Sequence, residues 1–475
     1  MSEAALTSRN FTENARKALA DAKLQRVLAG MGVFQLARHI AVSRLPEFDA
    51  LRDEGKAIKD HTLAHLDAYL DIFEEKVRAS GGHVHWAASA EEACELVASL
   101  CRDADARKIL KGKSMVTEEI GLNAHLEGQG FDVLETDLGE YIIQLRHERP
   151  SHILAPAMHL SPDQVAQSFR QAHGTLDPAR DLSLAESLVS EARQVLRDHF
   201  FSADVGITGA NFLVAETGSA VVVTNEGNGD LSMTLSRCHI VVTSIDKIVP
   251  TLNDVATLLR LLSRSVTGQE LASYTTYVTG PKQTGDLDGP SEFHVVLVDN
   301  GRSAILGGEY RDVLRCIRCS ACMNHCPVFG SVGGHAYGSI YPGPIGAVMT
   351  PALWGLAEAQ ELPHATTVCG RCDEVCPVRI PLTKLMRSWR EREFRRHMIP
   401  PKASLALSVW AHAARRPGLY ACVTRLAAWM LAILGGRTRR LRWLPFMGSW
   451  TQTRDFPAPE GRTFRDLWRQ RGGAS

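Results

Sequence analysis

The amino-acid sequence predicts an α/β protein, and three observations support this fold class. Between residues 81 and 306, short apolar runs alternate with helical patterns, which is typical of a mainly parallel sheet covered by helices. Before this region, apolar residues recur at helical intervals among charged ones. After it come two runs of cysteines. We therefore predict a helical N-terminal region (1–80), an α/β domain (81–306), a cysteine-rich α-helical domain (307–395) and a helical or irregular C-terminal region (396–475).

The elements of the α/β domain are predicted from the same patterns. Apolar runs predict strands near 83–86, 131–134, 152–154, 221–224, 239–243 and 293–298. The stretches between them predict helices near 91–101, 117–126, 162–173, 184–199 and 251–264. Two β-rich runs around Glu216, Thr217 and Gly218 predict a hairpin. The glycine- and proline-rich stretch 330–346 is predicted to lack regular structure.

Composition and charge describe an ordinary soluble protein. Apolar residues make up 45% and charged residues 22% of the 475 positions. The 53 basic residues balance the 53 acidic ones, so nothing in the charge suggests a nucleic-acid partner. The N-terminus lacks an apolar signal core, and thiols are best kept reduced in the cytoplasm, so we expect a cytoplasmic protein.

Seven cysteines carry the most specific chemical signal. The first run contains Cys316, Cys319, Cys322 and Cys326 before a proline, with the bacterial ferredoxin spacing C-x2-C-x2-C-x3-C-P. In that pattern, the fourth cysteine of each run binds the other iron–sulfur cluster. We therefore predict two clusters, most simply of the [4Fe-4S] type. The predicted ligands are Cys316, Cys319, Cys322 and Cys376 for cluster one, and Cys326, Cys369 and Cys372 for cluster two. A structural zinc site fits this spacing poorly, because zinc sites commonly use two separated C-x2-C pairs.

The second run lacks its first cysteine, because Thr366 stands at that position. Cluster two could hold three irons, take a non-thiolate ligand, or recruit a ligand from elsewhere in the chain. Thr366 is a poor ligand at neutral pH, whereas Asp373, His364, His335 and water are better candidates. We hypothesise a four-iron cluster with one labile iron.

The other four cysteines and the apolar C-terminal stretch have simpler interpretations. Cys94, Cys101, Cys238 and Cys422 have apolar neighbours and are predicted to be buried thiols. No stretch reaches about 18 uncharged apolar residues, the usual threshold for a spanning helix, and Arg425 interrupts the nearest one, residues 418–436. They are predicted to form an amphipathic helix, packed on the protein or lying on an anionic membrane surface.

The chain also resembles the lactate utilization protein B family. The resemblance rests on residues 316–327, 337–351 and 369–382, and on 113–123, 135–144, 206–211, 215–219 and 280–290. It implies a lactate-utilization domain related in fold to sugar-phosphate isomerases and CoA transferases. It also implies an electron-transfer role in oxidising L-lactate to pyruvate, with two partners: a cysteine-rich subunit and a small lactate-utilization-domain subunit. The seven cysteines fall on the family's ligand positions.

The α/β domain offers polar residues but no recognisable catalytic motif. The candidates are Lys113, Ser114, Glu118, Asn123, Asp137, Glu140, Glu216, Thr217, Glu226 and Asp286. Gly112, Lys113 and Ser114 end like a phosphate-binding loop, but Arg107 replaces the required glycine. No dinucleotide fingerprint follows a strand. The favoured hypothesis is therefore a non-catalytic or co-catalytic electron-transfer subunit. The alternative is an enzyme whose α/β domain transforms a 2-hydroxy acid or an acyl-CoA.

Overall fold

The computed structural model describes residues 6–444, 451 and 454–471. Its contacts divide the chain into two compact units, residues 1–390 and 391–475, and each unit is described by itself. The predicted division into four parts stays a prediction.

Five helices open the first unit, as the apolar spacing predicts. They are α1 (Phe11–Ala20), α2 (Ala22–Leu28), α3 (Gly32–Ser43), α4 (Phe48–Ala64) and α5 (Leu66–Ala79). Asp21 caps α2 by accepting the backbone N–H groups of Lys23 and Leu24. Phe48, Leu51 and Ile58 recur at helical intervals in α4, and all three are buried.

A six-stranded sheet forms the centre of the first unit, and all its strands are parallel. The order is β1 (His83–Ala87), β10 (Glu292–Val298), β7 (Cys238–Ser244), β4 (Val205–Thr208), β2 (Lys108–Lys111) and β3 (Asp132–Glu135). The predicted α/β class with a mainly parallel sheet is confirmed. Strands β2 and β4, each of four residues, were not predicted from the sequence.

The first unit also contains a second sheet, which has four strands. Its order is β8 (Ile248–Val249), β5 (Phe212–Val214), β6 (Ser219–Thr224) and β9 (Tyr274–Val278). The predicted hairpin is confirmed, because β5 and β6 pair antiparallel. Gly218 turns this hairpin with a φ of +71°, and a Cβ there would lie 2.6 Å from the backbone nitrogen of Val77.

Nine helices accompany these strands. They are α6 (Ala90–Asp103), α7 (Met115–Ile120), α8 (Leu122–Gly128), α9 (Leu138–Leu145), α10 (Pro162–Ala172), α11 (Ala185–Ser202), α12 (Asn228–Leu235), α13 (Leu252–Val266) and α14 (Arg302–Leu306). The single helix predicted at 117–126 is wrong, since Gly121 adopts φ +70° and separates α7 from α8. The strand predicted at 152–154 is also wrong. There the His152 ring accepts the backbone N–H groups of Leu154 and Ala155 and holds a local turn.

Short helices carry the cysteine segment. They are α15 (Ala321–Asn324), α16 (Pro327–Val332), α17 (Gly343–Trp354), α18 (Arg371–Val375) and α19 (Leu382–Arg395). The prediction that 330–346 lacks regular structure is therefore wrong in part. Helix α16 ends inside it, a 3-10 helix covers His335–Tyr337, and α17 begins at Gly343. Pro344 stands in the first turn of α17, where a missing N–H costs no helical hydrogen bond.

The second unit contains α20 (Pro401–Ala414), α21 (Pro417–Gly435), the paired strands β11 (Arg440–Leu441) and β12 (Phe456–Pro457), and α22 (Phe464–Gln470). The irregular end predicted for this region is corrected at α22, which Thr463 and Asp466 cap reciprocally. Cys422 is exposed on α21, so its predicted burial is wrong. One helix in the described residues, Pro417–Thr438, is long and apolar enough to cross a membrane, and only 11% of its apolar window is buried.

Candidate functional site

Four cysteines of the predicted cluster one line a single small enclosed cavity. They are Cys316, Cys319, Cys322 and Cys376. The chain between the first three turns sharply, because Arg318 and Ser320 adopt φ values of +60° and +66°. Apolar side chains complete the walls: Ile153, Ile317, Ile345, Val378, Ile380 and Leu382. Cys319 and Cys376 are buried and Cys316 and Cys322 are half-buried, so these walls limit the contact of the sulfur atoms with water.

The remaining three cysteines interact with one another at a second place. Cys326 precedes α16 and Cys372 lies in α18, and both are buried, whereas Cys369 is exposed. Burial raises the pKa of Cys326, and the nearby Cys369 sulfur raises it further. Burial, followed by the Asp373 charge and the Cys326 sulfur, raises the pKa of Cys372. The chain thus brings the last cysteine of each run toward the other run, while the assignment of cluster ligands stays a prediction.

The donor sets suit clusters better than single ions. Sulfurs bound to one zinc ion lie about 3.8 Å apart, since each Zn–S bond is about 2.3 Å. The one set of three potential ligand atoms within 4.8 Å of one another in the described residues is Cys238, Glu292 and His294, none of which belongs to the two runs. Backbone N–H groups also point at sulfur, from Arg318 to Cys316 Sγ at 3.4 Å and from Ile380 to Cys376 Sγ at 3.3 Å. Such bonds suit thiolates that share an iron–sulfur core.

The cysteine thiols differ in the direction in which their pKa values are shifted. Burial raises the pKa of Cys376 to about 11, and burial followed by neighbouring sulfurs raises the pKa of Cys322 well above its usual value. Because iron binds the thiolate, these cysteines release protons when a cluster is loaded. The pKa of exposed Cys369 is lowered instead, by the Arg371 N–H and the Thr367 hydroxyl.

Three candidate residues for the fourth ligand of cluster two already have hydrogen-bond partners. The Thr366 hydroxyl accepts the Val368 N–H at 3.0 Å, and the Asp373 carboxylate accepts the Thr383 N–H at 3.0 Å. His335 Nε2 lies 2.8 Å from the Arg149 carbonyl. Candidate His364 ends a 3-10 helix at Leu362–His364.

Sequence reasoning missed Tyr337 at this place. Its side chain is fully buried, and its hydroxyl makes no well-formed hydrogen bond to the described residues. Burial, followed by the nearby Cys326 and Cys322 sulfurs, raises the pKa of this hydroxyl. Tyr337 therefore lies beside Cys326 of the second cysteine group and also near Cys322 of the first. The available signal was a tyrosine in the glycine-rich stretch after Cys326.

Two buried arginines of the N-terminal helices hold the end of the second run. Arg52 of α4 donates to the Cys376 carbonyl at 2.9 and 3.0 Å, and Arg38 of α3 donates to the Val375 carbonyl at 3.3 Å. The sequence signal was an arginine on the buried stripe of a helix. Its partner could not be read from the sequence, because it lies 324 positions away for Arg52.

A buried charge network joins the central sheet to the first cysteine group. Arg302 contacts Glu119 at 2.7 Å and Asp246 at 2.8 Å, and all three side chains are fully buried. Burial opposes ionisation of Asp246, but the Arg302 guanidinium outweighs it and holds the pKa well below its usual range. Tyr341 donates to Glu119 at 2.6 Å, and the Arg318 guanidinium lies 4.9 Å from the centre of the Tyr341 ring. Nearby, burial and then the Arg318 charge lower the pKa of Lys247 to about 7.

The predicted polar residues of the α/β domain fall into three sets. Lys113, Ser114, Asp137 and Glu226 line one cavity of about 420 Å³. Glu118, Asn123 and Glu140 surround the buried pair of Lys111 and Glu135, whose charged atoms lie 2.7 Å apart. Burial, followed by the Glu118 and Glu135 charges, raises the pKa of Glu140 well above its usual value.

Glu216, Thr217 and Asp286 have local structural contacts instead. Glu216 accepts the Leu252 N–H at the start of α13, Thr217 contacts the Ser219 hydroxyl, and Asp286 accepts the Gln283 N–H. None of these three lines the cavity.

Comparison with known proteins covers almost the whole chain. The family model of the LUD domain matches residues 70–298, that of the 4Fe-4S dicluster domain matches 312–380, and that of the lactate utilisation protein B C-terminal region matches 388–473. The dicluster match supports iron–sulfur clusters of the 4Fe-4S type in this chain.

Individual relatives agree with this division. Lactate utilization protein B of Macrococcus caseolyticus is 46% identical over 433 residues, covering 90% of this chain and 89% of the relative. The uncharacterized electron transport protein YkgF of Escherichia coli is 43% identical over 461 residues, covering 96% and 93%. A DUF162 family protein of Deinococcus radiodurans, known from a crystal structure, shows a TM-score of 0.28 and 17% identity, covering 49% of this chain and 98% of that chain.

Proposed function

Because this chain belongs to the lactate utilization protein B family, with a role in lactate utilization and electron transfer, we propose that it is an iron–sulfur subunit that carries electrons in the oxidation of L-lactate to pyruvate. The observation that carries the proposal is the presence of two cysteine groups within one compact unit. After burial and the sulfurs of its own group, the Cys372 sulfur of the second group also raises the pKa of Cys322. The two groups are therefore neighbours.

The side chains around each group define what this chain contributes. A bound cluster supplies a site that gains and loses one electron at a time. The cysteines would hold the irons, and the apolar wall with Ile317, Ile345 and Leu382 would limit the access of water to cluster one. The buried arginines Arg38 and Arg52 fix the loop that carries Cys376.

The proposal extends to partners and to a membrane surface. The two further subunits are a cysteine-rich protein and a small lactate-utilization-domain protein, which would exchange electrons with the clusters in the cytoplasm. Helix α21 exposes Trp429, Ile433 and Leu434, and Arg437 and Arg439 follow it, a pattern that suits peripheral contact with anionic lipid. Sedimentation with anionic vesicles should fall when Ile433 and Leu434 are both changed to serine, and equal sedimentation of both proteins would contradict this contact.

One observation favours a second candidate function, in which the α/β domain itself transforms a 2-hydroxy acid or an acyl-CoA. The cavity beside Lys113 and Ser114 extends to Cys319, so a bound molecule would lie next to cluster one. Turnover of L-lactate by the purified protein alone, with an artificial electron acceptor, would favour this candidate over the first.

The proposed function is tested by deletion and by spectroscopy. In a host without another lactate oxidase, deleting the gene should abolish growth on lactate as the sole carbon source. A copy with Cys319→Ser should fail to restore growth, whereas a copy with Cys422→Ser should restore it, because Cys422 is exposed and lies outside both runs. Iron and sulfide analysis with EPR, on protein purified anaerobically, should report two clusters. Unchanged growth of the deletion strain would contradict the proposal.

A further inference from the structure

The cavity of about 420 Å³ lies where ligands bind in open α/β sheets. Ser114 follows β2, Asp137 follows β3, and Thr208 ends β4, so the cavity is built on the carboxyl ends of three neighbouring parallel strands. Ligands of doubly wound sheets bind in the crevice outside these strand ends. The volume falls in the range of small-molecule sites, about 300–1,000 Å³.

Two buried basic side chains line this cavity. The Arg318 side chain is buried, with 8% of the residue exposed, and none of its three guanidinium nitrogens has a hydrogen-bond partner in the described residues. Lys247 is 6% exposed and lines the same cavity. Buried polar groups normally have partners, because leaving a charged donor unpaired costs the full desolvation penalty. The unpartnered Arg318 guanidinium, with Lys247 lining the same cavity, therefore indicates an anionic ligand.

Neutral and acidic groups line other parts of the same cavity. The side-chain oxygens of Asn228 and Thr224 are buried without hydrogen-bond partners in the described residues. The Asp137 carboxylate already accepts the N–H groups of Gly139 and Glu140, and Glu226 lies nearby. These groups accept hydrogen bonds. They suit a molecule that carries hydroxyl groups besides its anionic group, and they disfavour a second anionic group.

We propose that this cavity binds a small organic carboxylate, with the carboxylate held by Arg318 and Lys247. Because Cys319 lines the same cavity, the bound acid lies against the first cysteine group. This inference deepens the proposed function by giving the α/β domain a ligand class, but binding is measured without lactate turnover, so the two can fail separately.

The experiment uses the full-length protein, purified anaerobically with its clusters. Isothermal titration with L-lactate, pyruvate and propionate should give saturable binding of at least one acid, and that acid should change the EPR line shape of cluster one. Lys247→Met should weaken binding about tenfold to a hundredfold, as expected for losing one hydrogen bond to a charged group. Asn228→Leu should also weaken binding, and it lies outside the cysteine segment, so it reports on the cavity even if Lys247→Met folds poorly.

A control variant removes a lysine from the opposite end of the same sheet. Lys108 is exposed at the start of β2, at the strand end away from the cavity, so Lys108→Met should bind the acids as the unaltered protein does. Iron content, measured for every variant, shows whether the clusters are retained.

Three results would overturn the proposal. The first is no saturable binding of any of the three acids up to about 10 mM, the range of weak binding. The second is equal binding by the unaltered protein and Lys247→Met. The third is equally tight binding of inorganic phosphate, which would mean a general anion site. If Arg318 and Lys247 only balance the charge of cluster one, Lys247→Met changes the EPR signal while no acid binds. Loss of growth on lactate in the deletion strain together with no acid binding would reject this site and retain the proposed function.

Discussion

The two cysteine groups differ most in their surroundings. The first has four cysteines around one enclosed cavity with apolar walls, and the Arg302 network supports it from the sheet side. The second has three cysteines, one of them exposed, and the buried hydroxyl of Tyr337 nearby. Solvent exposure and hydrogen bonds to sulfur set the reduction potential of a cluster. We infer that the enclosed group suits internal storage of an electron and the exposed group suits exchange with a partner.

Removing one cysteine from each group is expected to give the largest effects. Cys319→Ala should lose cluster one, lower the iron content by about half, and reduce thermal stability, because metal binding contributes folding free energy. Cys369→Ala should lose cluster two and reduce thermal stability by a smaller amount, since Cys369 is exposed whereas Cys319 is buried. Iron analysis, EPR and thermal unfolding measure both. Equal losses of stability in the two variants would contradict the distinction between the groups.

Breaking the charge network behind the first group should have the next largest effect. Arg302→Met leaves Glu119 and Asp246 buried without their cation, so we expect a loss of about 3–5 kcal/mol in the free energy of unfolding. Arg237→Met is the control, because its pair with Glu292 is exposed and is worth about 1 kcal/mol or less. Denaturant unfolding of the two variants provides the comparison. A similar loss in both would show that the network does not anchor the first group.

Acid should loosen the contact between the sheet domain and the first group. His152 Nε2 donates to Asn324 Oδ1 at 2.9 Å, and burial lowers the pKa of His152 to about 4. Below pH 6.5 the unfolded chain protonates this histidine while the folded chain does not, so the free energy of unfolding falls as the pH falls toward 4. At pH 5.5 this contribution is about 1.4 kcal/mol. His152→Gln should remove that part of the pH dependence, whereas His412→Gln, at an exposed position, should not.

Placing a cysteine at position 366 tests whether cluster two has a labile iron. Thr366→Cys supplies the thiolate that the first run has and the second lacks. If cluster two has one labile iron, this variant should lose iron more slowly in air, with little change in stability. Quantitative EPR during air exposure measures the rate. Identical rates in both proteins would argue against an open iron at this position.

Removing the Tyr337 hydroxyl should give the smallest effect. Tyr337→Phe keeps the ring in its buried position and takes away a potential donor to sulfur. We expect the reduction potential of cluster two to fall, because hydrogen bonds to sulfur stabilise the reduced cluster. The potential of cluster one should change less, because the sulfur nearest in effect to the Tyr337 hydroxyl is that of Cys326, and Cys322 of the first group comes after it. Tyr341→Phe is the reciprocal control, since Tyr341 contacts Glu119 and lies beside Arg318. An equal shift of both potentials by Tyr337→Phe would show that this residue does not distinguish the groups.

Local patterns in the sequence were enough for much of this protein. Periodicity alone predicted helix α4 and the long strands β7 and β10, since side-chain spacing reflects which face of an element is buried. Cysteine spacing predicted iron–sulfur chemistry because a cluster needs several thiolates from a short loop. The errors at 152–154 and 330–346 arose where single side-chain contacts and helix starts outweighed composition. Cys422 was mispredicted because apolar neighbours on a helix do not show whether that helix is covered.

Contacts between distant segments could be decided only by the tertiary structure. The sequence contained Arg52, Lys247 and Arg318 but not the facts that Arg52 caps the loop of Cys376 or that Lys247 and Arg318 line one cavity with Cys319. A charged residue on a helix or loop is usually solvated, so its type does not predict a buried role. Which charges meet depends on how strands and helices pack across the whole chain. The sequence by itself therefore determined the fold class and the chemistry of the cysteines, and the packing decided which side chains surround them.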